Sequence, residues 1–300
     1  MESIFVYCYL RRVAATGSVL CIGLNPKLEY VPPVYHLTRN ILGSIEKYLL
    51  DVIGVAARFV PLVKFEAADY LSLGEEGKTM LLRLIERAHH QGLLVILNAN
   101  QEYIGKVVKE YDEEVFKTYG ADACIFGPCN ESMLDFSHWM EWLKIGHMVI
   151  PTLQSGKTGI QFGQDSELSP GHWDIEDTAA EIAELNAEVI RKTKGAGGIG
   201  IAIEVSPEQM TCCRKFAGDD VFFLISSHGA QACGAKMVLN KRSQVMGAID
   251  IPGDIILDSW RGQSRKKRPL EPVEAAIKAV NANLAAVIER KSGKEQQKEE

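Results

Sequence analysis

Eight short apolar runs, most of them followed by helical spacing, constrain this chain more than any other feature. They are 19–24, 59–64, 93–97, 123–126, 148–150, 200–203, 221–225 and 254–257. Strands buried on both faces read as continuous apolar stretches, and parallel strands need helical crossovers between them. Helical periodicity falls over 41–57, 75–91, 104–119, 133–145, 175–193 and 273–289, with Gly92 and Gly120 as stops. Eight such units in 300 residues predict an α/β fold, a single (β/α)8 TIM barrel. An open doubly wound sheet is the competing arrangement, but no G-x-G-x-x-G follows the first strand. The barrel is expected to occupy residues 1–290 as one domain. Residues 291–300 are polar, unpatterned and expected to be a disordered tail.

Composition then removes several classes. A hydrophobic share of 46% is that of an ordinary globular chain, and a net charge of −6 offers no basic stripe for nucleic acid. The seven cysteines form no C-x-x-C unit, and their odd count argues against a disulfide framework. They read as reduced thiols of a cytoplasmic protein. The apolar start, Ile4 to Leu10, precedes Arg11 and Arg12, which reverses the order of a secretory signal. No apolar run nears the roughly 18 residues of a membrane span, so no membrane partner is expected. The histidines fall at neither H-x-x-x-H nor H-x-H spacing, so neither metal nor cofactor is expected. The basic run from Arg265 to Arg268 reads as a solvated surface.

Barrels carry their chemistry at the C-terminal ends of the strands. The third run ends in Asn98, Asn100 and Tyr103, and residues two apart leave a strand on one face. Neither amide can ionise. The second run ends in Lys64, with Glu66 on the same face, either as a functional partner or as a structural ion pair. Glu204 ends the sixth run, either as an acid or base in the mouth or as a solvent-facing side chain.

Six segments, taken in order, resemble one family. They are Gly23-Leu-Asn-Pro26, Val63-Lys64, Asn98-Ala-Asn-Gln-Glu-Tyr-Ile-Gly105, Ala121-Asp-Ala123 with Pro128, His228-Gly-Ala-Gln231, and Asp258-Ser-Trp-Arg-Gly262. The chain resembles orotidine 5′-phosphate decarboxylase, in its longer bacterial-type branch. In that family two lysines and two aspartates alternate around the scissile carboxylate, one aspartate coming from the partner subunit. Carried over by position, only Lys64 keeps its charge. Asn98 and Tyr103 stand for the aspartates, Asn100 for the proton-donating lysine and Asn25 for a ribose-binding aspartate.

The resemblance further implies a phosphate site formed by Gly229, Ala230 and Gln231 with Arg261 and Gly262. Thr152 and Gln161 keep the spacing of the family's lid residues, while its base-reading serine is Leu153. A homodimer is implied because the family's sites are shared between subunits. The expected function is a diverged lyase of the decarboxylase superfamily, with Lys64, Asn98, Asn100 and Glu204 at the chemistry. Its substrate is expected to be a nucleotide 5′-phosphate or a related phosphorylated ligand, with orotidylate turned over poorly. The alternative is a non-catalytic pseudoenzyme that binds a nucleotide phosphate as sensor or scaffold.

Overall fold

The computed structural model describes residues 2–36, 40–99, 113–127, 137–154, 175–233, 235–240, 242–261 and 269–296. Among them, eight parallel strands close into a barrel in sequence order. These are β1 (Leu20–Gly23), β2 (Leu62–Glu66), β3 (Leu94–Asn98), β4 (Ala123–Phe126), β5 (Met148–Gln154), β6 (Gly198–Glu204), β7 (Phe222–Ser226) and β8 (Gly247–Ile251). The helices are α1 (Ile4–Thr16), α2 (Ile41–Ala56), α3 (Ala67–Leu71), α4 (Gly74–His90), α5 (Met140–Lys144), α6 (Ile175–Lys192), α7 (Pro207–Ala217), α8 (Ser227–Cys233), α9 (Gly253–Leu257) and α10 (Glu271–Gln296). The chain is thus the expected (β/α)8 barrel.

Strand alternation divides the core into two layers. Ile22, Val63, Phe65, Val95, Leu97, Ile249 and Ile251 point outward and pack under the helices. Cys21, Leu62, Ile96, Ile150, Phe222, Leu224 and Ala248 point inward. The N-terminal end of the barrel is stoppered by α1. Ser3 caps that helix by accepting from the Val6 N–H at 3.3 Å. Phe5 and Tyr9 meet Phe222 edge to face, with centroids 5.5 and 5.2 Å away. The Tyr9 hydroxyl donates to the Gly247 carbonyl at 2.6 Å, and burial pushes its pKa up. The apolar segment from Ile4 to Leu10 thus serves as a plug for the barrel.

One strand differs from the expectation. Residues 254–257 lie in α9, and the eighth strand is Gly247–Ile251. Pro252 ends the strand, since its ring fixes φ and removes a ladder donor. Ile256 and Leu257 then bury while Ile255 stays exposed, which is helical rather than alternating burial. Gly92 and Gly120 do lie at positive φ, +75° and +71°, as helix-stopping residues should. Among the described residues, no helix is long and apolar enough to cross a membrane.

At the barrel's N-terminal side, Asp122 accepts from the Val95 N–H at 2.7 Å and pairs with His89 Nε2 at 3.0 Å. The hydrogen bond to Asp122 raises the His89 pKa, burial opposing it and the carboxylate charge adding to it. A raised folded-state pKa gives stability that is complete below the unfolded value, about 6.5, and lost as pH rises through the folded value. The melting-temperature gap between wild type and His89→Gln should therefore narrow as pH rises from 5 to 8. A gap that widens over that range would count against the pairing.

Candidate active site

The inward-facing residues at the strand ends follow from the same alternation. Two residues beyond Leu62, Ile96, Ile150, Ala202, Leu224 and Ala248 stand Lys64, Asn98, Thr152, Glu204, Ser226 and Asp250. Of the residues singled out in the sequence, Lys64, Asn98, Thr152 and Glu204 therefore share the inner face at the C-terminal mouth. Asn100, Tyr103, Gln161 and Gly262 lie outside the described residues.

Lys64 is the centre of this mouth. Its ammonium lies 2.5 Å from Asp250 Oδ2 and 2.9 Å from Glu66 Oε1. The lysine side chain is 14% exposed, so the ammonium is largely withdrawn from water. Burial works to lower its pKa, but the charges and hydrogen bonds of Asp250 and Glu66 outweigh burial and hold it raised. Glu66 stands opposite Asn98 in the β2–β3 register, so the amide faces the edge of this ion cluster. Beneath it, Cys21 is fully buried, and burial followed by the Asp250 charge pushes its thiol pKa up. Asp250 Oδ1 is buried with no hydrogen-bond partner among the described residues.

Asp250 was missed in the sequence. Its only signal was one acid inside Gly-Ala-Ile-Asp-Ile, an apolar run that the more continuous stretch at 254–257 outshone. Once β8 is set at Gly247–Ile251, period-2 alternation alone turns Asp250 inward.

Beside this cluster, Asn25 follows β1 and donates from Nδ2 to Asp69 Oδ2 at 2.8 Å. Gly253 lets the start of α9 close on that amide, for a Cβ there would sit 2.5 Å from Asn25 Oδ1. Tyr70 donates to the Leu24 carbonyl at 2.7 Å and fixes the end of β1 from α3.

Next to β8 on the same rim, α8 starts directly after β7. The Gly229 N–H donates to Ser226 Oγ at 3.2 Å, Ala230 is buried, and Gln231 follows it in α8. Arg261 is exposed on the turn that follows α9. It pairs with Asp258, and its Nη2 donates to the Glu29 carbonyl at 2.7 Å. Its guanidinium thus leans on the loop after β1. Among the described residues, no group of three or more His, Cys, Asp or Glu is arranged to hold a metal ion.

An ammonium clasped by two carboxylates can stabilise developing negative charge by field and hydrogen bond. With a raised pKa it is a reluctant proton donor near neutrality, because general acids work best with pKa near the operating pH.

No protein-family profile matches the chain. Curated relatives do. It is 26% identical over 239 residues to the orotidine 5′-phosphate decarboxylase of Rhodopirellula baltica, covering 74% of this chain and 78% of that one. It is 22% identical over 276 residues to the enzyme of the same name from Bordetella pertussis, covering 90% and 95%. Among solved structures it superimposes on Leishmania donovani OMP decarboxylase with a TM-score of 0.68 at 18% identity, over 96% and 98% of the two chains. Plasmodium berghei orotidine 5′-monophosphate decarboxylase gives a TM-score of 0.67 at 13% identity, over 95% and 99%. The chain is thus similar over most of its length to curated orotidine 5′-phosphate decarboxylases, and it shares its barrel fold with solved structures of that name.

Proposed function

We propose that this chain is a diverged lyase of the decarboxylase superfamily acting on a nucleotide 5′-phosphate or related phosphorylated ligand. Orotidylate is then a poor substrate. The observation that carries the reading is the Lys64 ammonium held between Asp250 and Glu66 at the mouth of the barrel. Such a group suits chemistry that leaves negative charge on carbon. The chemistry is assigned to Lys64 and Asn98, with Asn100 and Glu204. Asn25, Tyr103, Thr152 and Gln161 are assigned to ligand binding. A purely scaffolding protein has little use for a lysine and two acids withdrawn together from water, so the non-catalytic alternative is not preferred.

The phosphate is assigned to the turn at Gly229, Ala230 and Gln231, with Arg261 and Gly262. To reach it, Arg261 must exchange the Glu29 carbonyl for a phosphate oxygen, trading a neutral acceptor for a charged one. A thermal-shift survey of nucleoside monophosphates tests the reading. A true ligand at a hundred times its Kd should add about 2.7 kcal/mol of stability. Arg261→Ala should then weaken the phosphorylated ligand by about 1.5–3 kcal/mol and spare its nucleoside. Equal weakening of both forms would remove Arg261 from the site, and no shift with any monophosphate would remove the ligand class. The proposal includes a homodimer, which light scattering reads directly.

A further inference from the structure

Lys64 and Asp250 stand on strands that are not neighbours. β1 runs between them, and adjacent strands lie about 4.8 Å apart, so β2 and β8 are about 10 Å apart across it. In register, Gly23 stands beside Lys64 and Cys21 beside Asp250. Gly23 puts no side chain between the two, and the lysine arm closes the gap to 2.5 Å. The groups facing the ammonium from each packed element are Asp250 on β8, Glu66 on β2, Cys21 on β1 and Asn98 on β3. Asp250 makes the shorter contact and is the less exposed acid, 18% against 29% for Glu66.

A carboxylate buried only to complete a structural ion pair normally has both oxygens satisfied. Asp250 does not: Oδ2 holds Lys64, and Oδ1 is buried without a partner among the described residues. That pattern belongs to a residue kept for the mouth rather than for folding.

We infer that Asp250 is the positioning residue that fixes Lys64 as an ammonium across β1 and so bars it from acting as an amine nucleophile. The inference rests on the proposed reading of this mouth as the active site. Lysines in barrel mouths otherwise have a second chemistry open to them. The free electron pair of Nζ attacks a carbonyl carbon, protons shift to the oxygen, and water leaves to give an imine. An ammonium whose protons are directed at two carboxylates has no such pair to offer. The reactions left to this mouth are those in which Lys64 stabilises charge without bonding to carbon. Asp250 decides between the two chemistries.

Reductive methylation with formaldehyde and cyanoborohydride reads the free amine directly and needs no nucleotide. Failure of the thermal-shift survey above would therefore leave this result standing, and the reverse also holds. Peptide mass spectrometry would follow Lys64 from pH 7 to 10, with exposed Lys47 as internal control. In the wild type Lys64 should stay unmethylated while Lys47 reacts. Asp250→Asn, nearly isosteric, should raise Lys64 methylation by about tenfold or more at a given pH, the change one pKa unit makes in free amine. Glu66→Gln should raise it less, and Asp250→Glu, which restores the charge, should return it towards wild type. Melting temperatures confirm that each variant is folded. A wild-type Lys64 methylated as readily as Lys47 overturns the inference whatever the variants do. So does a folded Asp250→Asn protein whose Lys64 stays silent up to pH 10, or a Glu66→Gln effect larger than that of Asp250→Asn. Should Asp250→Asn not fold, the wild-type profile and the ratio of the Glu66→Gln and Asp250→Glu effects still decide it.

Discussion

Purified protein mixed with orotidine 5′-phosphate should leave the absorbance of the substrate unchanged on the timescale of ordinary enzyme turnover. Decarboxylating orotidylate leaves negative charge on a ring carbon, which an ammonium must both stabilise and protonate. Of the residues that the resemblance aligns with the family's four catalytic charges, Lys64 alone is charged, and two carboxylates already occupy it. At the other matched positions Asn98, Asn100 and Tyr103 carry no charge at neutral pH. Losing one electrostatic stabiliser costs about 10²–10³ in rate, and a unit loses more than one member, though not additively. Turnover should therefore fall at least about 10³-fold below the 1–10³ s⁻¹ of common enzymes. The companion experiment is the triple change Asn98→Asp, Asn100→Lys, Tyr103→Asp, read beside Lys64→Ala. Its melting temperature must be measured first, because unpaired charges placed in a pocket shaped for amides destabilise the fold. Wild-type turnover at ordinary rates would sink the electrostatic argument, and Glu204, at the mouth end of β6, would become the first proton donor to remove.

The barrel was legible because it is written redundantly. Seven of the eight apolar runs coincide with strands or overlap them, and a buried parallel strand can hardly be spelled otherwise. The eighth was misplaced for a physical reason. In Gly-Ala-Ile-Asp-Ile the inward position is an acid, so the strand breaks the very pattern by which strands are recognised. The run at 254–257 is apolar enough to pass for a strand, but it follows directly on Pro252 and forms α9. That slip hid Asp250, and with it half of the cluster around Lys64. The Lys64–Glu66 pairing was readable because both partners sit two apart on one strand. Lys64–Asp250 joins residues 186 apart in sequence, and no local pattern carries such a contact. Local periodicity gives faces; which faces meet across a closed barrel depends on register.

Replacing Arg214 should produce the largest stability loss of any single change far from the mouth. Arg214 lies on α7 and is 7% exposed. Its Nη1 donates to the Val221 carbonyl at 2.9 Å, and its Nη2 to the carbonyls of Met246 at 2.9 Å and Met237 at 3.1 Å. The guanidinium also stacks 3.6 Å above the Phe223 ring centroid. Burial lowers its pKa to about 9, with Asp219 working the other way. One side chain thus ties α7 to the starts of β7 and β8, the strand that carries Asp250. Arg214→Met keeps much of the volume but withdraws every donor. The Met246 carbonyl retains the Phe223 N–H at 3.0 Å, while those of Val221 and Met237 lose a donor in a buried place. Each buried acceptor left unsatisfied costs about 1–3 kcal/mol, and sparing the desolvation of a cation returns part of that. The net loss should be about 2–4 kcal/mol in urea unfolding. Arg214→Lys should fall between, because an ammonium cannot reach three carbonyls from one plane or stack flat on the ring. Contacts at the N-terminal face of a barrel serve stability rather than chemistry. Well below its melting temperature, the Met variant should therefore still show an unmethylated Lys64. A loss under about 0.5 kcal/mol, the range of an ordinary surface change, would mean that water or neighbouring donors already satisfy these carbonyls.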